Sequence, residues 1–177
     1  MIFDTHAHYD DEAFDEDRDQ LFSPRKDGGV GCIVNVCASV GGFGGTLELM
    51  KAYPFVYGAV GVHPDDAGIM TQDTLDEIRR LSHMEKMVAI GEIGLDYYWH
   101  KEEAEHKQQQ EMFRAQMDIA REEKLPFMIH SRDAAEDTLE IVKEYMKKDM
   151  SGGIIHCFSY SKEIAFVYLP FIKKVDK

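Results

Sequence analysis

Short apolar runs alternate with amphipathic segments along nearly the whole chain. Six of the apolar runs are short and almost continuously apolar, which is typical of strands that are covered on both faces. They begin at residues 2, 32, 55, 87, 126 and 153. The segments between and after them predict helices over 10–22, 46–53, from 74, 102–124, 133–148 and 162–169. Strands and helices that alternate at intervals of roughly 25 to 35 residues predict β-α units and a parallel sheet.

Two capping-box spacings predict where helices begin. Thr74 stands three residues before Glu77, and Asp133 stands three residues before Glu136. At this spacing the side chain of the first residue and that of the residue three positions later can each satisfy a free backbone N–H group at the start of the helix. The sequence therefore predicts that two of the helices begin at Thr74 and Asp133.

Ionisable residues end one predicted strand after another. Parallel α/β architectures build their sites at the carboxyl ends of strands, whereas histidines that merely fill a core would fall at random depths. The placement therefore predicts one functional cluster. Its members are His6 and His8 on the first strand, His63 after the third, Glu92 on the fourth, His130 on the fifth and His156 on the sixth.

The cluster predicts two divalent metal ions. His6 and His8 are two residues apart, so on a strand they point to the same face and can bind one ion together. His6, His8, His130 and His156 together with Glu92 exceed the needs of one tetrahedral ion. Glu92 is the natural bridge, with His6 and His8 on one ion and His130 and His156 on the other. Paired ions about 3.5 to 4 Å apart support hydrolysis of esters.

The identity of the ions is open among Mg, Mn and Zn. Histidine-rich ligation suits zinc, manganese or iron better than magnesium, but geometry usually decides selectivity.

The charge of the chain restricts its partners. A formal net charge of −13 argues against a broad basic surface for nucleic acid, because such a surface needs Lys and Arg to neutralise phosphates. Bound cations would provide the local positive charge that a polyanion requires.

Length, hydropathy and cysteine content predict one cytoplasmic domain over 1–177. No apolar run reaches the roughly 18 residues of a membrane helix, and the start lacks the pattern of a signal peptide. The three cysteines lack C-x-x-C spacing, so we expect buried free thiols.

Five motifs in this order resemble the TatD family of metal-dependent deoxyribonucleases. They are Asp4–His8, Gly61–Pro64, Gly91–Tyr98, Ile129–Ala134 and Ile155–Ser159. The resemblance spans nearly the whole chain and implies a TIM-type (β/α) barrel, a divalent-metal centre and exonuclease-type cleavage of DNA, acting on single strands or ends. By motif, it implies metal ligands at His6, His8, Glu92, His130 and His156.

The resemblance also implies that His63 and Arg132 lie near the substrate phosphate, and that Glu92 and His63 are catalytic.

One departure from the family pattern concerns the end of the chain. The family continues with two further strands and a late acidic motif that completes the first metal and handles the proton of the attacking water. This chain has about six of the usual eight β-α units, and its tail, 166–177, departs from the pattern. We therefore expect an incomplete barrel, reduced turnover, and self-association through exposed sheet edges.

Two other functions stay open. Binuclear barrels also hydrolyse C–N and other ester bonds, and a chain without the late acid is compatible with a metal-binding remnant that turns nothing over.

Several other side chains have simpler expected roles. His83, His100 and His106 are expected to be surface residues. The aromatic run 97–99 either stacks on bases or packs beneath Glu92.

Overall fold

The computed structural model describes residues 2–22, 29–147 and 149–169. Six parallel strands form one sheet in chain order, and the sheet curls into half of a barrel with helices between the strands. The predicted incomplete TIM-type α/β barrel with about six β-α units is confirmed. The strands are β1 (Ile2–Ala7), β2 (Val30–Val36), β3 (Val56–Val60), β4 (Met87–Asp96), β5 (Phe127–Arg132) and β6 (Gly153–Ile155).

The helices connect these strands as the periodicity predicts. They are α1 (Arg18–Phe22), α2 (Phe43–Ala52), α3 (Gln72–Ser82), α4 (Glu103–Glu122), α5 (Ala135–Met146) and α6 (Lys162–Tyr168), with 3-10 turns at Glu12–Phe14 and Pro64–Ile69. None of the helices in the described ranges is long and apolar enough to cross a membrane.

The core lies on both faces of the sheet. Ile33 and Val34 are adjacent on β2 and both buried, yet they belong to two separate apolar clusters, because successive strand residues point to opposite faces. The larger cluster contains the helix residues Ile78 and Phe113, which are 0% and 1% exposed. The smaller cluster, which includes Val34 and Ala89, lies on the other face. Burial on both faces explains why the strands are continuously apolar in sequence.

Two buried glutamines of α4 fix the segments that carry site residues. Gln109 accepts a hydrogen bond from the backbone N–H of Asp96 at 2.9 Å and donates to its carbonyl at 3.3 Å. Gln116 does the same for Val62, at 2.7 and 3.1 Å. Gln109 thus satisfies both backbone groups of Asp96, the last residue of β4, and Gln116 satisfies those of Val62, the residue before His63. The long helix therefore fixes the backbone of two segments that carry predicted site residues, as well as covering the sheet.

Some predicted boundaries are wrong. The capping box of α3 joins Thr71 and Thr74, so the helix begins at Gln72 rather than at Thr74. Asp133 has φ 53° and does not cap α5, whose N-cap is Ala134 without a side-chain bond. The left-handed backbone at Asp133 redirects the chain between β5 and α5.

The other boundary differences are smaller. The segment 10–22 forms a 3-10 turn and a five-residue helix instead of one helix, and α2 begins at Phe43. The predicted helix end at position 148 and most of the predicted divergent tail, 170–177, lie outside the described residues.

Candidate metal centre

Glu92 lies at the centre of the histidine cluster. It belongs to β4 and is only 3% exposed. Its Oε2 lies 3.2 Å from Nε2 of His6 and 3.7 Å from Nε2 of His8, and those two nitrogens are 3.1 Å apart. β1 ends at Ala7, so His8 is the first residue after the strand rather than part of it, yet both histidines face one carboxylate oxygen, as their spacing predicts.

Three further histidines surround the other oxygen. Oε1 of Glu92 lies 3.0 Å from Nδ1 of His130 and 3.9 Å from Nε2 of His63, and it also contacts Nε2 of His156. The rings of His63 and His130 are 4.2 Å apart. The ring of His156 stacks on that of His6 at 3.9 Å. All five predicted histidines thus converge on one buried glutamate.

The ligand atoms form two groups that share Glu92. Within the part of the chain that the structure describes, His6, His8 and Glu92 form one group, and His63, Glu92 and His130 form the other. In each group the donor atoms all lie within 4.8 Å of one another. The second group contains His63, which the family resemblance placed near the substrate, in the place predicted for His156. His156 instead contacts Glu92 while its ring stacks on that of His6.

The first group suits a metal ion. Ligand atoms on a tetrahedral ion with bonds of about 2.0 to 2.1 Å lie roughly 3.3 Å apart, and the observed separations among His6, His8 and Glu92 are close to that value. His8 donates from Nδ1 to the carbonyl of Val36 at 2.9 Å, which leaves the lone pair of Nε2 directed into the group. A backbone partner on one ring nitrogen is the usual way of fixing a metal-binding histidine.

The electrostatics of the centre keep Glu92 ionised. Burial alone would raise the pKa of Glu92, but the hydrogen bonds from His130, His156 and His6 outweigh burial and lower the pKa below its ordinary value. Burial lowers the pKa of His63, as does the nearby charge of His130. Burial lowers the pKa of His130, but the hydrogen bonds and negative charges of Glu92 and Asp96 together outweigh burial and raise that pKa. A negative carboxylate among imidazoles is the charge arrangement that a cation site needs.

Sequence reasoning missed the role of Asp96. This residue ends β4, is 1% exposed, and contacts Nε2 of His130 through Oδ2 at 3.1 Å. Its Oδ1 accepts the backbone N–H groups of Tyr98 at 2.9 Å and Trp99 at 3.0 Å. Burial raises the pKa of Asp96, but these hydrogen bonds together lower it. Asp96 is four residues after Glu92 on the same strand, so the strand period already places both on one face.

Arg132 lies at the rim rather than at the centre. It is the last residue of β5, two positions beyond His130, and its side chain is exposed. Its guanidinium carbon lies 3.9 Å from the ring centroid of Tyr98. The location is compatible with the predicted contact to a substrate phosphate, which stays a prediction.

The remaining histidines differ in environment. His83 is 66% exposed in its side chain, as expected for a surface residue. His100 is half-buried between Asp65, at 3.0 Å, and Glu105, at 3.2 Å, so it lies at the surface as predicted but is held there by two carboxylates. These hydrogen bonds overcome burial and raise the pKa of His100. His106 is also half-buried, because its ring stacks on that of Tyr97 at 3.6 Å and its Nε2 contacts the carbonyl of His100 at 2.9 Å.

The cysteines are free, but only one is fully buried. Cys37 is 1% exposed, and burial raises its pKa to about 12. Cys32 is half-buried and Cys157 is exposed. The expectation of free thiols is confirmed, and the expectation that they are buried is wrong for Cys157.

The sequence matches the family model described as TatD related DNase over residues 3–171. The chain belongs to the TatD family. It is 44% identical to the protein named uncharacterized metal-dependent hydrolase YabD of Bacillus subtilis over 165 residues, which are 93% of this chain and 64% of that protein. It is 30% identical to the 3'-5' ssDNA/RNA exonuclease TatD of a Pantoea species, covering 92% of this chain and 62% of that one.

A solved structure of a TatD-family protein has the same fold. The TatD homologue YJJV of Escherichia coli superposes with a TM-score of 0.86 at 27% identity, over 96% of this chain and 65% of that one. The chain therefore spans somewhat less than two thirds of the length of these relatives. Membership of this metal-dependent hydrolase family agrees with the histidine-rich centre at the carboxyl ends of the strands.

Proposed function

We propose that this TatD-family chain carries a centre for two divalent ions that hydrolyses phosphodiester bonds of DNA. The observation that carries the proposal is the position of Glu92, which is common to both ligand groups and has histidines on each of its oxygens. A shared carboxylate is typical of paired-metal hydrolases. The Pantoea relative, which is named as an exonuclease of single-stranded DNA and RNA, supports a nucleic-acid substrate.

The site residues would have distinct roles in metal binding and catalysis. His6 and His8 would hold one ion, Glu92 would bridge, and His130 would hold the other, with His156 completing the ring of imidazoles. When bound, divalent ions supply positive charge to the phosphate and lower the pKa of a bound water. We propose that His63 and Glu92 are the catalytic residues, next to the phosphate under attack and the attacking water.

The surroundings of His63 support that placement. Nδ1 of His63 accepts the backbone N–H of Asp65 at 3.3 Å, which orients the ring with Nε2 toward Glu92. Arg132 at the rim would bind a phosphate oxygen of the substrate, because a guanidinium donates to phosphate with good geometry. The chain has a net charge of −13, so the few cationic groups near the centre must neutralise the substrate phosphates that a broad basic surface neutralises in other nucleic-acid-binding proteins.

Nuclease and metal-binding assays on one set of variants test the proposal. End-labelled single-stranded DNA is incubated with the chain and magnesium, manganese or zinc, beside the variants His130→Ala and His83→Ala. We expect metal-dependent cleavage that is lost in His130→Ala and kept in His83→Ala, because His83 is exposed and lies outside both ligand groups. Metal uptake without cleavage would favour the non-catalytic alternative. Cleavage of C–N or carboxylic ester substrates alone would favour the amidohydrolase-type alternative.

We also propose that the chain self-associates. In the described sheet β1 and β6 each pair with one strand, and Ile2 and Phe3 on β1 are 61% and 59% exposed. An apolar groove of about 240 Å³ lies between Phe3 and Ile154. Light scattering at micromolar concentration should show a dimer or larger species. Phe3→Asp should shift it toward a monomer and Ile69→Asp should not, although Ile69 is equally exposed.

A further inference from the structure

Two aromatic and two cationic side chains form a rim platform beside the metal centre. The rim platform consists of Tyr98, Trp99, Lys101 and Arg132. The guanidinium carbon of Arg132 lies 3.9 Å from the ring centroid of Tyr98 and 5.6 Å from that of Trp99. The ammonium of Lys101 lies 5.3 Å from the Tyr98 ring. Both aromatic rings are exposed, at 42% and 66%.

The platform is held by the same residue that contacts the centre. One carboxylate oxygen of Asp96 accepts the backbone N–H groups of Tyr98 and Trp99, while the other contacts His130. The N–H of residue 97 donates to the carbonyl of Arg132 at 2.9 Å, which ties the aromatic segment to the end of β5. The backbone that carries the two aromatic rings is therefore linked to His130 through Asp96 by partly buried hydrogen bonds of 2.9 to 3.1 Å.

Packing of the loop does not account for these two rings. Tyr97 already has that role, because it is half-buried, stacks on His106 at 3.6 Å and donates to Asp137 at 2.7 Å. Tyr98 and Trp99 instead meet each other edge-on at 4.7 Å and keep large exposed surfaces. Exposed aromatic rings with cations alongside are the means by which proteins bind unpaired bases.

We propose that the rim platform binds an unpaired nucleobase of the substrate. The inference rests on the proposed nuclease function and specifies its substrate, a nucleic acid whose terminal bases are unstacked. A base would stack on Trp99, and Arg132 and Lys101 would neutralise the flanking phosphates. A base inside a duplex has both faces covered by its neighbours, so the platform favours single strands and frayed ends over blunt duplexes.

The chain contains one tryptophan, so its fluorescence reports on the platform directly. The full chain in EDTA and low salt is titrated with a single-stranded thymidine octamer and with an abasic octamer that has the same number of phosphates. We expect the thymidine octamer to quench the fluorescence and the abasic octamer to leave it nearly unchanged. Equal quenching by the two, or none by the thymidine octamer up to millimolar concentration, would overturn the proposal.

A pair of matched variants measures the contribution of stacking. Trp99→Leu removes the ring at the platform, and Phe166→Leu removes another exposed ring that also lies near a lysine, Lys162 at 5.8 Å, on α6. Anisotropy of a labelled thymidine octamer should show an affinity loss of roughly 5- to 150-fold for Trp99→Leu. Phe166→Leu should lose less than threefold. A similar loss in both variants, or none in either, would refute the assignment.

The design separates this inference from the proposed function. Base-dependent quenching without cleavage in any metal would uphold the platform and refute the nuclease. Metal-dependent cleavage with equal quenching by both octamers would uphold the nuclease and refute the platform.

Discussion

Replacing Asp96 by asparagine tests whether Asp96 orients His130 as the metal ligand that we propose. In the native centre Asp96 accepts from Nε2 of His130 at 3.1 Å, which leaves Nδ1 of the ring directed at Glu92 and the second ligand group. An asparagine keeps the size of the side chain, and its oxygen can still accept the two backbone N–H groups that follow. The amide nitrogen, however, would face the ring and donate to Nε2.

The ring must then change its tautomer. With Nε2 as acceptor, the neutral ring carries its proton on Nδ1, so no lone pair is available to a metal at that atom. Loss of an outer carboxylate partner typically lowers metal affinity 10- to 100-fold, which is about 1.4 to 2.7 kcal/mol. Because Asp96 is 1% exposed, solvent does not screen the lost charge, and we expect the upper part of that range.

Calorimetric titration with zinc or manganese measures the effect, with Asp137→Asn as the control. Asp137 is a half-buried carboxylate that accepts from Tyr97 at 2.7 Å and from Gln110 at 2.9 Å, but it lies outside both ligand groups. We expect its variant to bind metal like the native chain. If Asp96→Asn kept its metal affinity within threefold, or if both variants lost affinity equally, Asp96 would not orient His130.

Three further predictions concern the centre, the backbone and the thiols. Glu92→Gln should lower occupancy of both ions by elemental analysis, because both groups share Glu92; loss of one ion only would show that it does not bridge. Gly94→Ala should destabilise the chain by at least about 1 kcal/mol in denaturant unfolding, since φ is +143° and the added carbon would lie 2.0 Å from a backbone oxygen of β5. Gly44→Ala in α2 meets no atom within 4 Å and should stabilise by up to about 1 kcal/mol; equal effects would contradict the reasoning. Iodoacetamide should label exposed Cys157 in the native chain and spare Cys37, whose burial raises its pKa to about 12; mass spectrometry that found both labelled would disprove this.

The sequence alone determined the architecture and the histidines that surround Glu92, but not the contact of Asp96 with His130. A strand that is buried on both faces appears as a short continuous apolar run, and an amphipathic helix as a period of 3.6 residues. Both patterns are local, so the order of elements follows from the positions of the apolar residues. Sites of parallel sheets lie at the carboxyl ends of the strands, and this rule predicted one cluster without any knowledge of contacts. The predicted cluster includes His6, His63, Glu92, His130 and His156.

Tertiary structure decided which atoms meet. The contact of His130 with Asp96 joins residues 34 positions apart, and that of His100 with Asp65 joins residues 35 apart. Neither follows from spacing along the chain, because each depends on the stagger between strands or on how a loop covers a helix. Capping at Thr71 instead of Thr74 shows the same limit at short range, since both threonines, three residues apart, are suitable N-cap residues and the sequence pattern alone does not choose between them. Periodicity determines which face a residue occupies, whereas hydrogen-bond partners within a site depend on ångström-scale distances between elements that only folding sets.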